Sequence, residues 1–354
     1  NIEQLLVVVR RAMEASRLRQ ENFELKRKDT PLSVMVGDSN IFKNFISNLD
    51  KVTKTQGRIL LTGESGSGKE MAARYIHANS ERASKPFISV NCASIAPDRM
   101  EDVLFGRDAG NSLPTDGLLS QADGGVIYFD EIADMPLVTQ SKILRVLVDQ
   151  KFQRVNGKSE VKVDLRVISS TSQDLREAIK QKSFREELYH RLNVVPINVP
   201  SLSQRLEDIP LLFDHFAKNF HETQGLNLRE LSIEASTMLQ TMSWPGNIRQ
   251  LKNIVERVLI LGDGHGEVSI EDLPSDTKSG DDNVNGVASG TIATMPLREA
   301  REAFEREYLI TQINRFNGNI SKTAKFVGME RSALHRKLKS LGVVSMSKIQ
   351  KEDF

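Results

Sequence analysis

The chain has 354 residues, 48 Lys and Arg against 47 Asp and Glu, a formal net charge of +1, one cysteine and six histidines. This length fits two or three domains; a lone cysteine excludes an internal disulfide framework, and the scattered histidines show no metal-ligand spacing. No apolar run approaches the roughly 18 residues of a membrane helix, so no membrane partner is expected and the reading is of a cytoplasmic protein.

Residues 1–28 read as a helix in which Ile2, Leu6, Val9 and Met13 recur at helical spacing. Charged residues dominate from Arg10 to Lys28, so this helix cannot form a core alone; it is a dimerising coiled coil or a connector. Pro31 ends it. Over 29–200 the apolar runs Ile59–Leu61, Phe87–Val90, Val126–Phe129, Leu165–Ser169 and Val194–Val199 alternate with helical stretches. That alternation predicts an α/β nucleotide-binding subdomain, a parallel sheet covered by helices. Residues 201–272 read as a helical lid without strands. Residues 273–295 are rich in Pro, Ser, Asp, Gly and Asn and read as a flexible linker. Residues 296–354 are an all-α domain, loose from 343 onward.

The stretch Gly63-Glu64-Ser65-Gly66-Ser67-Gly68-Lys69-Glu70 follows the first apolar run. Glycines let the backbone wrap several N–H groups around one anion, Lys69 adds charge for the outer phosphates, and the following helix adds its dipole. ATP or ADP is the predicted ligand. Downstream, Val126–Phe129 is a buried strand from which Asp130 emerges where Mg²⁺ sits, and Glu131 follows as candidate general base for a water. The position after Lys69 is Glu70 rather than a hydroxyl residue, and its carboxylate can reach the metal directly or through water.

Further stretches complete a series: Val90-Asn91-Cys92-Ala93, Leu104-Phe105-Gly106, Gln121–Glu131, Phe184-Arg185-Glu186-Glu187-Leu188 with Arg191-Leu192-Asn193, and Trp244-Pro245-Gly246-Asn247-Ile248-Arg249. In this order and spacing the chain resembles the NtrC-type bacterial enhancer-binding proteins with their central AAA+ domain, over nearly its whole length. Within that family it is most similar to the nitrogen regulators, chiefly through its C-terminal segment. The resemblance implies that Asn91 pairs with Glu131 in a switch and that Val36 and Gly37 line the adenine. It implies that Arg185 and Arg191 reach the nucleotide of a neighbouring subunit, where a guanidinium stabilises charge growing on the γ-phosphate. Arg249 then touches the nucleotide in its own subunit. Ile2–Met13 resembles the last helix of a receiver domain, which implies a two-component response regulator with a sensor histidine kinase as partner.

Two departures from the family shape the expected function. Ser172 stands where the family presents an asparagine after Ala-Ala-Thr; a shorter side chain without an amide positions water less well, and such a loss costs ~10²-fold or more in rate. The family's Gly-Ala-Phe-Thr-Gly-Ala loop, which contacts sigma-54, is replaced by the shorter Arg107–Asp116, with a proline and no aromatic tip. The expectation is an ATP-binding regulator with weak or absent ATPase activity that acts with RNA polymerase but without sigma-54 remodelling. The alternative is an ATP-hydrolysing activator with a divergent contact surface.

At the C-terminal end, Leu297–Phe316 reads as one amphipathic helix marked by Leu297, Phe304, Tyr308 and Ile313. Ile320–Phe326 and Glu330–Leu341 are two shorter helices joined by Val327-Gly328-Met329, a helix-turn-helix pattern of the Fis type. Residues 317–342 hold six basic residues and one acid, a balance of +5 that suits double-stranded DNA. Leu334 and Leu338 must pack inward, which turns Arg331, Ser332, His335, Arg336 and Lys339 outward, the first three toward base edges. Lys322 and Thr323 are placed at backbone phosphate. One such unit makes too few contacts for specificity, so a homodimer through Phe304 and Tyr308 is expected, with a higher oligomer as the alternative.

Overall fold

The computed structural model describes residues 34–108, 114–262, 266–273, 296–315 and 320–341. The helix expected at 1–28, nearly all of the linker and the tail from 343 lie outside the described residues, as does 109–113 of the shortened loop. The chain divides into two units: one runs to Leu212 and takes in Trp244–Leu251, the other comprises Phe213–Ser243 and the chain from Lys252 on.

The first unit alternates strands and helices: α1 (Asn40–Thr53), β1 (Ile59–Thr62), α2 (Lys69–Ala78), β2 (Phe87–Asn91), α3 (Met100–Phe105), β3 (Gly106–Arg107), β4 (Thr115–Asp116), α4 (Leu118–Gln121), β5 (Val126–Asp130), α5 (Leu137–Asp149), β6 (Lys151–Gln153), β7 (Glu160–Lys162), β8 (Arg166–Thr171), α6 (Leu175–Lys180), α7 (Glu186–Leu192) and β9 (Val195–Asn198). Five strands form one sheet in the order β2-β5-β8-β1-β9, and every neighbouring pair is parallel. Strands covered on both faces read as unbroken apolar runs, and Val126 to Phe129 of β5 are all buried. Successive residues then serve opposite layers. Ile59, Leu61, Val126 and Ile168 pack with Phe45 and Leu49 of α1 and Ala73 and Ile76 of α2. Leu60, Ile127, Phe129 and Val167 pack the other way, with Leu104, Ile143 and Leu188.

The register brings the carboxyl ends of the strands together: Thr62 lies opposite Thr171, and Asn91 opposite Asp130. In an open parallel sheet that edge is where ligands sit. β8 extends past the apolar run Leu165–Ser169 to Thr171, with Ser169, Ser170 and Thr171 fully enclosed. Buried Arg166, at its start, donates to the carbonyls of Val52 and Thr53 at 2.7 and 3.4 Å, satisfying acceptors left over at the end of α1. The shortened loop grows from a two-residue antiparallel ribbon, Gly106–Asp116 and Arg107–Thr115.

α8 (Ile209–Gln224) leads into the second unit, which holds α9 (Ile233–Thr241), most of α10 (Asn247–Leu261), α11 (Leu297–Arg315), α12 (Ile320–Val327) and α13 (Arg331–Ser340). Among its described residues the β structure is one isolated bridge, Leu231–Val268. Leu309, Ala324, Leu334 and Leu338 form the core of α11–α13, with Ile313, Ile320 and Val327 against it. Gly328, at φ +74°, makes the turn between α12 and α13. Phe304 and Tyr308 stack on each other, 6.1 Å between centroids, and are 58% and 39% exposed. The inward side of α11 is therefore marked by Leu309 and Ile313, and the aromatic pair belongs to its outer face.

Candidate functional site

β1 ends at Thr62, and the chain wraps through Gly63–Gly68 into α2. Gly66 has φ +75°, and a Cβ there would lie 2.3 Å from the Gly246 carbonyl. The Trp244–Arg249 motif thus packs directly on the loop. Asn247, fully buried, donates to Glu64 Oε2 at 2.9 Å and the Ser65 carbonyl at 3.1 Å and accepts from the Leu202 N–H at 2.7 Å. The Ile248 N–H donates to the Gly66 carbonyl at 3.0 Å, and Arg249 Nη1 reaches Ser65 Oγ at 3.4 Å. The resemblance assigned a role to Arg249 alone; Asn247 is the residue that fixes the loop, and the motif around it was the signal.

Lys69 is 6% exposed. Its Nζ donates to the carbonyls of Gly63 and Glu64 at 3.0 and 3.3 Å and pairs with Glu131 Oε1 at 3.1 Å. Ser67 Oγ is buried in the loop and has no hydrogen-bond partner among the described residues. A buried hydroxyl without a partner is costly, and a phosphate oxygen or its metal would satisfy it.

Glu131 sits in a left-handed conformation, φ 49° and ψ 57°, an uncommon state for this residue that costs energy and clusters at functional sites. Its Oε2 accepts from both the backbone N–H and the hydroxyl of Ser172, each at 2.8 Å. This corrects the expected Asn91–Glu131 pair. Asn91 Oδ1 instead accepts from the N–H groups of Ala93 and Ser94 at 3.0 and 3.2 Å, and its Nδ2 points to Asp130 Oδ2 at 3.5 Å. The local turn after β2 captures the amide oxygen first. Asp130 Oδ1 accepts from Ser170 at 2.6 Å and Tyr128 at 2.8 Å. Burial first, and then the nearby Asp130, Asp134 and Glu131 carboxylates, push the Cys92 thiol up to about 12; it is an inert core residue.

A magnesium ion takes six oxygens, several of them from water and substrate phosphates. Among the described residues Asp130 Oδ2 is engaged by the long Asn91 contact alone and Ser67 Oγ has no partner; both are hard donors that fit such an ion at a phosphate. Among the described residues no group of three or more His, Cys, Asp or Glu makes a protein-only cage. Glu70, the other candidate, is exposed and gives Oε1 to Arg74 at 2.7 and 3.0 Å, leaving Oε2.

The Val36–Gly37 stretch is held from beneath. Asp208, 1% exposed, accepts from the N–H groups of Asp38 and Ser39 at 2.7 and 2.8 Å and from Ser39 Oγ at 2.8 Å. Arg205 lies over the Phe42 ring at 4.8 Å and reaches the Val36 carbonyl at 3.5 Å. A Cβ at Gly37 would sit 2.6 Å from the Phe42 ring and 2.8 Å from Asp208. Gly37→Ala should therefore cost about 1–3 kcal/mol by overpacking, read as a lower melting temperature. Arg185 and Arg191, at the two ends of α7, are exposed. Arg185 Nε donates to the Leu137 carbonyl at 3.3 Å, and neither arginine makes a hydrogen bond or ion pair with the loop of its own chain in the described contacts.

On α13, Arg331, Ser332, His335 and Arg336 are exposed opposite buried Leu334 and Leu338. Glu330, Arg331, Ser332 and His335 line a surface recess at its N-terminal end. The side chain of Lys339 lies outside what is described. Lys322 is exposed, but Thr323 is fully buried. That corrects the expected phosphate contact: Thr323 and Ala324 together form the inward face of α12.

Three family profiles match in sequence order: "Sigma-54 interaction domain" over residues 35–198, "AAA+ ATPase lid domain" over 203–289, and "Bacterial regulatory protein, Fis family" over 300–341. The nitrogen assimilation regulatory protein NtrX of Azorhizobium caulinodans is 51% identical over 347 residues, which is 97% of this chain and 76% of that protein. The DNA-binding transcriptional regulator NtrC of Salmonella typhimurium is 35% identical over 367 residues, 97% of this chain and 77% of that protein. NtrX from Brucella abortus has been solved in complex with ADP, 50% identical at a TM-score of 0.67, covering 97% of this chain and 77% of that one. Its complex with ATP is 49% identical at a TM-score of 0.69, covering 97% and 76%.

Proposed function

The chain belongs to the NtrC family of transcription regulators, and from that membership we propose that it is a sequence-specific DNA-binding regulator that binds ATP and ADP on the Gly63–Glu70 loop and acts without remodelling sigma-54 polymerase. The observation that carries the last part is the connection between β3 and β4, residues 108–114, which holds no aromatic residue. The family's loop carries an aromatic tip as its contact probe, and Leu113 is the largest apolar side chain of this shorter stretch, which is what supports the reading.

Nucleotide binding is supported by the enclosed Lys69, the unpartnered Ser67 and the ATP and ADP complexes of Brucella NtrX. Asp130 would hold Mg²⁺ through Oδ2, and the ion would neutralise phosphate charge. Glu131 needs a free carboxylate to take a proton from water, yet Ser172 holds its Oε2 through two hydrogen bonds and stands where an asparagine would position that water. Turnover is accordingly weak. Arg331, Ser332 and His335 are presented to base edges, and Arg336 and Lys322 to phosphates. The exposed Phe304–Tyr308 pair is the surface for a homodimer, which doubles the contacts on a two-fold site.

A second reading is an ATP-hydrolysing sigma-54 activator. It is favoured by the match of the sigma-54 interaction profile across the whole loop region and by the presence of Asp130, Glu131, Arg185 and Arg191. Phosphate release separates the two. The protein should bind ATP yet release phosphate no faster than its Glu131→Ala variant. Turnover abolished by that substitution, or ATP-dependent opening of a sigma-54 promoter, selects the second reading.

A further inference from the structure

Parallel strands buried on both faces are built from apolar residues, yet β5 and β8 bury a tyrosine and a serine against the same carboxylate. The hydroxyl of Tyr128 lies 2.8 Å from Asp130 Oδ1 and 2.8 Å from Ser170 Oγ, and Ser170 Oγ lies 2.6 Å from the same Oδ1. Both side chains are wholly enclosed. We propose that Tyr128 and Ser170 are positioning residues that fix one oxygen of Asp130 inside the sheet, so that the carboxylate presents Oδ2 alone to the magnesium ion of a bound nucleotide. This rests on the reading that the Gly63–Glu70 loop binds Mg²⁺-nucleotide.

The triangle has three edges and two hydroxyl protons. Either both hydroxyls donate to Oδ1, or one hydroxyl donates to the other and that one to Oδ1. In every arrangement Oδ1 accepts at least one hydrogen bond from the sheet. Strand geometry makes the cluster: residues two apart on β5 share a face, which puts Tyr128 under Asp130, and one step beyond the Phe129–Ser169 pair brings Ser170 alongside. A phenol keeps its proton at neutral pH and can donate it here. Its ring stacks on Phe87 at 6.1 Å.

A carboxylate at the end of a strand can turn about its last bond and offer either oxygen. Mg²⁺ demands near-octahedral geometry and tolerates such freedom poorly. Groups that orient a metal-binding side chain through hydrogen bonds are typically worth 10–100-fold in metal affinity.

The test is the affinity for ATP, by titration, with Mg²⁺ and with chelator, in the full chain. Tyr128→Phe keeps the ring and its stack; Ser170→Ala removes one oxygen. Each should cut the Mg²⁺-dependent gain in ATP affinity about tenfold and leave the affinity in chelator within about twofold. The double variant should lose less than the product of the two, because both act on one oxygen. A structural role alone would lower both affinities or the melting temperature without changing their ratio, and that result overturns the proposal. So does an unchanged ratio in both variants, or a parent protein whose ATP affinity ignores Mg²⁺. A parent that binds no ATP under either condition fails the nucleotide reading itself, and is told apart by that.

Discussion

Leu334→Ala should abolish DNA binding while leaving ATP affinity within about twofold. Leu334 is fully buried, and among the described residues the core around it holds Leu309, Ala324 and Leu338 as the other enclosed apolar residues. Truncating a buried leucine costs about 2–5 kcal/mol. A small helical unit has about 3–5 kcal/mol in reserve. The substitution therefore removes most or all of what holds α13 against α11 and α12. A helix of ten residues does not persist alone in water, so Arg331, Ser332 and His335 lose their common face. DNA binding followed by fluorescence anisotropy should fall at least about a thousandfold, about 4 kcal/mol, past the roughly 1–3 kcal/mol expected of any single base-contacting side chain such as Arg331. Helical content should fall with it. Retention of DNA affinity in this variant would mean that the recognition face does not depend on this core.

Much of the fold follows from periodicity. Ile59–Leu61 and Val126–Phe129 are legible because a strand buried on both faces admits little but apolar side chains, and Gly66 and Gly68 because the loop needs positive φ. The C-terminal leucines are legible because Leu334 and Leu338 stand four apart between basic residues. What the sequence hides is polarity turned inward. The apolar run of β8 reads as ending at Ser169, yet Ser170 and Thr171 complete its buried length: the hydroxyls of Ser169 and Ser170 find partners across the sheet and that of Thr171 finds Gln173 in the following turn. Tyr128 reads as one more apolar residue of β5; its hydroxyl partner Ser170 lies 42 residues away. Thr323 looks like a surface residue by composition and is enclosed. Asn91 was assigned its partner by family resemblance, but a side chain is captured by the nearest unsatisfied donors, here the N–H groups of the following turn. Family resemblance locates the chemistry; it does not say which of several nearby groups each polar atom will choose.

At the Lys69–Glu131 pair two substitutions should act with opposite signs. Lys69→Ala removes the ammonium that reaches the outer phosphates. It also strands Glu131, whose Oε1 has Lys69 as its ion-pair partner at 3.1 Å and whose side chain is only 18% exposed. Truncating one partner of an enclosed charge pair costs about 2–5 kcal/mol, and ATP affinity should fall about a hundredfold or more. Glu131→Gln works the other way. In the resting chain the carboxylate competes with the triphosphate for Lys69, and Ser172 holds it there through two hydrogen bonds. A neutral amide keeps the shape, surrenders the ion pair and releases Lys69 to the ligand. Removing that competition is worth about 0.5–1.5 kcal/mol, the scale of one net hydrogen bond, so ATP should bind several-fold more tightly. ADP, which lacks the γ-phosphate, should gain less from Glu131→Gln. Calorimetric titration of both nucleotides against both variants reads all four values. If Glu131→Gln weakens ATP binding, the carboxylate supports the ligand rather than competing with it, and the Ser172 contact is part of the binding site instead of a brake on it.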